Sequence, residues 1–220
     1  MLNNYVQDIK VVKNEIKEIA NGLLKANELI LDALGDCDKD KFTEVKSHIK
    51  NITTKTDHID NSVVKLLALY APEARDLREV VAYLKITNEI LRACTSTRSF
   101  TRGLYEVCES MDLSVIKEYA MPLQASALKA IKVTVQMFDI ECTDELQDCF
   151  NEVLIEENKT DDLYELLEKS ILNNTSKKDG FEKIHTILRA FRKSEKIADR
   201  AISIANLLVY VKVGGTMQRV

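Results

Sequence analysis

The sequence predicts an all-α protein made of two tandem antiparallel three-helix bundles, six long helices in all. Three observations predict it. Apolar residues recur at alternating three- and four-residue steps along most of the chain, the period of one helix face. Only 6 Gly and 2 Pro occur in 220 residues, too few for the many turns of a sheet protein. The polar breaks are few and widely spaced, so each helix runs for about 30 residues, or roughly 45 Å. Short links between such helices make neighbours antiparallel.

The first helix carries Val11, Ile16, Ile19, Leu23, Leu24, Leu29 and Leu34 and is expected to stop at Gly35, which tolerates a left-handed helix end. Asp38 or Asp40 caps the second, whose seam is Phe42, Val45, Ile49, Ile52, Ile59, Val63 and Leu66. Ala71-Pro72 breaks it, and Pro72 suits the first turn of the third helix. That helix continues through Leu77, Val80, Leu84, Ile86 and Leu91 to about Gly103 or slightly beyond. The fourth begins near Asp112, with Pro122 either kinking it or marking its true start. Thr143, followed by Asp144 and Glu145, caps the fifth, with seam Leu146, Phe150, Val153, Glu157, Thr160, Tyr164, Leu167 and Ile171. The polar run Asn173 to Gly180 is the longest loop signal, and the sixth helix spans about Phe181 to Val213. The polar segment Glu109 to Asp112 divides the chain into residues 1–110 and 111–220.

A net charge of −4, spread without a basic block, excludes the cationic footprint of general nucleic-acid binding. Five cysteines, an odd number without C-x-x-C spacing, read as buried or half-buried thiols in a reducing compartment. The N-terminus alternates charged and apolar residues, unlike a signal peptide, and no segment approaches the ~20 apolar residues of a membrane span. A cytoplasmic protein without membrane insertion is the expectation. No Walker loop, G-x-S-x-G or Cys/His nucleophile pattern is present, and His48, His58 and His185 are scattered, so the chain reads as a non-enzyme.

Three stretches resemble a known family. IDNSVVKLLALYAPEARDLR (Ile59–Arg78), followed by EVVAYLKI, looks like a PhoU segment in which a helix ends in Pro-x-Ala-x-Asp-Leu-Arg. SEKIADRAISIA (Ser194–Ala205) is similar to the family's Glu-Arg-Ile-Gly-Asp-x-Ala-x-x-Ile-Ala, with Lys196 and Ala198 substituted. ENKTDDLY (Glu157–Tyr164) resembles the acidic Asp-x-x-x-Asp-x-Leu-Tyr of the preceding helix. The resemblance implies tandem three-helix repeats and a regulator that restrains phosphate uptake. Such a regulator links the ATPase subunit of a phosphate transporter to a sensor histidine kinase. It also implies metal binding through paired acidic motifs, and the long helical faces make a homodimer plausible.

Residues four apart share a helix face, so Glu157 pairs with Asp161 and Glu195 with Asp199. Carboxylates on an apolar seam need water, a cationic partner or a metal. Four hard oxygen donors suit Mg²⁺, Mn²⁺ or iron at one acidic site. The plainer reading makes them helical acids paired with Lys159, Lys196 or Arg200. Arg75, Asp76 and Arg78 fall on the family's Asp-Leu-Arg segment, and an intrahelical ion network is the plain account of them.

The first repeat departs from the pattern. Laid on the fifth helix at a constant offset of 108, the second helix puts Ile49 opposite Glu157 and Thr53 opposite Asp161. On the third helix, Leu91 and Thr95 stand where the family has Glu and Asp. The expectation is one metal site at most, in the second repeat, with the first turned into core packing. Two other functions fit the same residues: a metal-binding or metal-buffering bundle, and a diverged paralogue serving another transporter.

Overall fold

The computed structural model describes residues 2–174 and 181–214, and all of them lie in helices or short links. The predicted loop Asn173–Gly180 lies mostly outside the described residues, as does Gly215. Helix α1 (Leu2–Asp36) is followed by α2 (Lys39–His48), α3 (Ile52–Tyr70) and α4 (Ala74–Val107). A 3₁₀ turn (Cys108–Ser110) leads to α5 (Leu113–Val115), a π turn (Ile116–Ala120) and α6 (Met121–Met137); α7 (Thr143–Asn174) and α8 (Phe181–Val213) complete the chain. With α2–α3 and α5–α6 each counted as one interrupted rod, this is the expected set of six.

The seams explain the packing. Every residue assigned to the α2–α3 seam is buried, from Phe42 to Leu66. On α1 the core takes Val12 rather than Val11, which is 50% exposed; an adjacent pair of valines left that face ambiguous by one position. Leu77 and Leu84 of α4 are likewise exposed.

The breaks differ in detail. Gly35 stays inside α1, and the left-handed residue is Cys37 (φ 54°). Asp38 then caps α2, its Oδ1 accepting from the Asp40 and Lys41 amides at 3.0 Å each. The second rod is interrupted at Ile49–Asn51, where Asn51 takes φ 54°, a conformation Asn tolerates better than most residues. Pro72 lies in the link, two residues ahead of α4, instead of in its first turn. In the fourth rod Pro122 marks the start of the regular helix, with a π turn ahead of it. Lacking an N–H, it cannot close the α-helical bond to residue 118, and Met121 reaches back five residues to the Ile116 carbonyl. The regular helix resumes with Pro122 in its first turn. α7 starts at Thr143 itself, with the Leu146 amide bonded to the Cys142 carbonyl (3.0 Å).

The reading of the cysteines as thiols fails at two positions. Cys37 and Cys108, at the C-terminal ends of α1 and α4, form a disulfide with Cα atoms 5.6 Å apart. Sequence spacing gave no sign of it, because 71 residues separate the pair and only the parallel course of α4 alongside α1 joins them. Cys94, Cys142 and Cys149 are free.

α4 and α8 form the most extensive helix pair. They run antiparallel: Phe100 meets Phe191 edge-to-face at 5.4 Å, Glu89 pairs with Arg200, and Arg78 lies over Tyr210. One continuous apolar core crosses the whole chain. At its centre a polar ladder links four helices. Asn27 (α1) donates to the Leu23 carbonyl and to Thr97 (α4), Gln124 (α6) donates to Asn27, and Ser194 (α8) donates to Gln124. Asn27, Thr97, Gln124 and Ser194 are all 0% exposed, and each buried polar group thereby has a partner. No described helix is long and apolar enough to cross a membrane.

Candidate metal centre

Residues on α7 and α8 build the site. Their seams face each other, and Arg192 of α8 ties them together: its guanidinium lies 5.1 Å from the Tyr164 ring centre and 2.5 Å from Glu195 Oε2. Thr160 is buried in the α7 seam and turns its hydroxyl to the Glu157 carbonyl (2.7 Å), leaving the carboxylates of Glu157 and Asp161 at the edge of the groove.

Glu157, Asp161 and Asp199 come together, each offering a carboxylate oxygen within 4.8 Å of the others. Ions held 2.0–2.6 Å from their ligands place those oxygens up to about 4–5 Å apart, so the three could hold one hard cation. Asp161 is exposed and the other two are half-buried. Burial pushes the Glu157 carboxyl above its ordinary range, and the charges of Asp161, Asp199 and Glu195 add to the effect against the opposing Lys196. A cation would relieve that repulsion.

Glu195 lies behind the three. Only 3% exposed, it accepts from Lys196 through Oε1 at 3.3 Å. Arg192 approaches Oε2 closely but out of hydrogen-bond alignment, so this buried oxygen has no hydrogen-bond partner. Burial raises the Glu195 carboxyl, and Lys196 and Arg192 only partly offset that. Lys196 also donates to Asp199 Oδ2 at 2.6 Å. The plainer reading of these acids is therefore realised in part: Lys196 is an internal counter-ion, and any metal at Asp199 competes with it. Arg200 sits 3.9 Å from Asp199 while pairing mainly with Glu89 (2.9 Å). Lys159 turns away, to Glu156.

Glu156 was absent from the sequence reading. It is 3% exposed and accepts from Lys129 (3.0 Å) and Lys159 (2.9 Å). Burial pushes its carboxyl up, but hydrogen bonds from Lys159, Lys129 and Ser126 outweigh this and hold it below the ordinary range. The signal was present: Glu156 lies three residues from Val153 and four from Thr160, so it shares the seam as well as Glu157 does.

The positions aligned with these acids in the first half of the chain carry different chemistry. Ile49 is buried at the interruption between α2 and α3, and its carbonyl accepts from Arg98 Nη2 at 3.1 Å. Leu91 packs against the core, while Thr95 is exposed and bonds its own helix. Arg75, Asp76 and Arg78 form no ion network among the described residues; Arg78 stacks on Tyr210, and the Asp76 carbonyl accepts from Tyr5 (3.3 Å). The three histidines stay apart, His58 near Glu15 and His185 against Phe181.

Comparison with known proteins agrees with this architecture. Residues 16–98 match the family model described as the PhoU domain, so the match falls on the part of the chain that lacks the acidic motifs. Over 208 residues the chain is 22% identical to the phosphate-specific transport system accessory protein PhoU homolog 1 of Methanothermobacter thermautotrophicus, covering 92% of this chain and 91% of that one. The crystal structure of PhoU from Pseudomonas aeruginosa superposes with a TM-score of 0.81 at 19% identity, over 98% of this chain and 100% of that one. The phosphate transport system regulatory protein PhoU from Streptococcus pneumoniae gives 0.80 at 17% identity, with the same coverage. Motifs, the domain match over residues 16–98 and the whole-chain fold converge on PhoU proteins as what this chain is similar to.

Proposed function

We propose that this protein is a negative regulator of phosphate uptake and phosphate-starvation signalling. It acts as a non-enzymatic, cytoplasmic adaptor between the ATPase subunit of a phosphate transporter and a sensor histidine kinase. The likeness to a phosphate-transport accessory protein along nine-tenths of both chains carries this reading. Residues 1–110 and 111–220 are its two three-helix repeats, with long outer faces for partners or a second copy.

A cation held by Glu157, Asp161 and Asp199 belongs to the same reading, with Glu195 set behind them. The metal would supply positive charge that neutralises the groove and clamps α7 to α8. Deleting the gene tests the regulatory role: phosphate-starvation genes should be expressed constitutively, and normal repression at high phosphate would overturn it.

A second reading, a metal-binding or metal-buffering bundle, is favoured by the grouped carboxylates. Elemental analysis of untagged protein prepared without chelators separates the two. Stoichiometric Mn, Mg or Fe that disappears in Asp199→Ala supports the site. If Asp199→Ala still restores repression to the deletion strain, buffering is not the protein's task.

A further inference from the structure

The antiparallel pair α4 and α8 also builds a second site, on the outer face of their crossing. A cleft of about 380 Å³ opens there. Its walls are Ser99, Arg102 and Glu106 from α4 and Thr186, Arg189 and Lys193 from α8. The steps of three and four residues place each set on a single face of its helix. The floor is Gly103 against Ala190, where a Cβ on Gly103 would come within 2.7 Å of the Ala190 Cβ. The backbones meet at the floor while the long side chains stand up on both sides.

Three cations thus face one carboxylate, on a protein whose net charge is −4. Several other lysines of this surface are paired, among them Lys17, Lys41, Lys129, Lys196 and Lys212. Arg102, Arg189 and Lys193 make no ion pair among the described residues. Like charges brought together without a counter-ion repel each other, and an anion removes that cost. Arg guanidinium groups offer forked donors that match tetrahedral oxyanions, and Lys adds a point charge. Ser99 supplies a neutral hydroxyl, whereas Thr186 spends its proton on the Glu182 carbonyl (2.8 Å).

We propose that this cleft binds phosphate, either as the inorganic hydrogen phosphate dianion or as the phosphoryl group of a small phosphorylated molecule. Glu106 sharpens the choice. An ionised carboxylate can only accept hydrogen bonds. Hydrogen phosphate has a proton to give it, and sulfate has none. The cleft therefore prefers phosphate to sulfate through Glu106, with the charge of both anions balanced by the three cations.

The experiment is calorimetric titration of the whole chain at neutral pH and low salt with inorganic phosphate, sulfate and pyrophosphate. One saturable phosphate or pyrophosphate per chain is expected, with sulfate weaker. Arg102→Gln/Arg189→Gln should weaken binding by about tenfold or more, the effect of losing charge-assisted hydrogen bonds. The exposed pair Arg92→Gln/Lys132→Gln removes the same charge elsewhere and should leave binding unchanged. Glu106→Gln should narrow the preference over sulfate. Tighter binding of pyrophosphate than of phosphate assigns the ligand to a larger phosphorylated molecule; the reverse assigns it to the free anion. No saturable binding of either, equal binding of sulfate, or equal losses in the two double variants would overturn the proposal. All substituted side chains are exposed or half-buried, and unchanged helical circular dichroism confirms folding. Binding here stands or falls independently of transporter regulation.

Discussion

Replacing Gln124 with Met keeps nearly the same volume in a fully buried position but removes every hydrogen bond the amide makes. Three are lost: Nε2 to Asn27 Oδ1 (3.2 Å) and to the Asn27 carbonyl (3.4 Å), and Ser194 Oγ to Oε1 (2.7 Å). Asn27 Oδ1 then has no donor in a site closed to water. Ser194 can turn its proton toward a carbonyl of its own helix and recover part of its loss. An unsatisfied buried group costs about 1–3 kcal/mol, and the near-isosteric thioether leaves little cavity to add. Gln124→Met should therefore lower stability by about 3 kcal/mol. Ser194→Ala, which strands only Gln124 Oε1, should cost about 1 kcal/mol. The two should couple by about 1 kcal/mol in a double-mutant cycle, read from urea midpoints at constant m. A loss below about 1 kcal/mol for Gln124→Met, or strict additivity with Ser194→Ala, would refute the claim that this ladder is a connected, fully satisfied network.

Glu157→Gln should stabilise metal-free protein at neutral pH by roughly 1 kcal/mol, since it removes one of several crowded charges. Because the folded carboxyl is raised above its ordinary value of 4.5, the native state holds the extra proton. The cost is absent below that value and grows as pH rises through the folded pKa, so the variant's advantage should vanish in acid and be reversed by a tightly bound metal; urea midpoints across pH, with and without Mn²⁺, check this. Gly22→Ala would bring a Cβ within 2.5 Å of the His48 carbonyl and should cost about 1–3 kcal/mol in thermal unfolding, as overpacking does. Thiol titration of denatured, unreduced protein should count Cys94, Cys142 and Cys149 but not Cys37 or Cys108, and five free thiols before reduction would contradict the bridge between α1 and α4.

The long helices were legible because their seams repeat over many turns, which makes small errors of phase harmless. Val11 and Val12 show the limit: two adjacent apolar residues satisfy the period equally, and only the packing of neighbours selects Val12. Helix ends were less legible, because Gly35 carries a general preference while Cys37 takes the left-handed turn under tertiary constraint. At the carboxylates, sequence spacing identified which acids share a face, and three of the four come together. It placed Glu195 at the edge of the apolar arc but did not show how fully it is buried, because that depends on Arg192 and Lys196 beside it. The polar ladder was illegible for a related reason. Asn27, Thr97, Gln124 and Ser194 sit on four different helices, and no period along one helix reveals partners on another.

That ladder bears on what would happen if the chain were cut in two. Asn27 and Thr97 belong to the first half and Gln124 and Ser194 to the second, so a break near Met111 would strip each piece of its partners at the most enclosed point of the molecule. Each piece would also expose a broad oily strip, including Phe100 on one side and Phe191 on the other. The halves are then expected to act as complementary fragments that recover a native shape only when mixed, much as split reporters do. The two halves of this chain are then parts of one fold and not units that live independently.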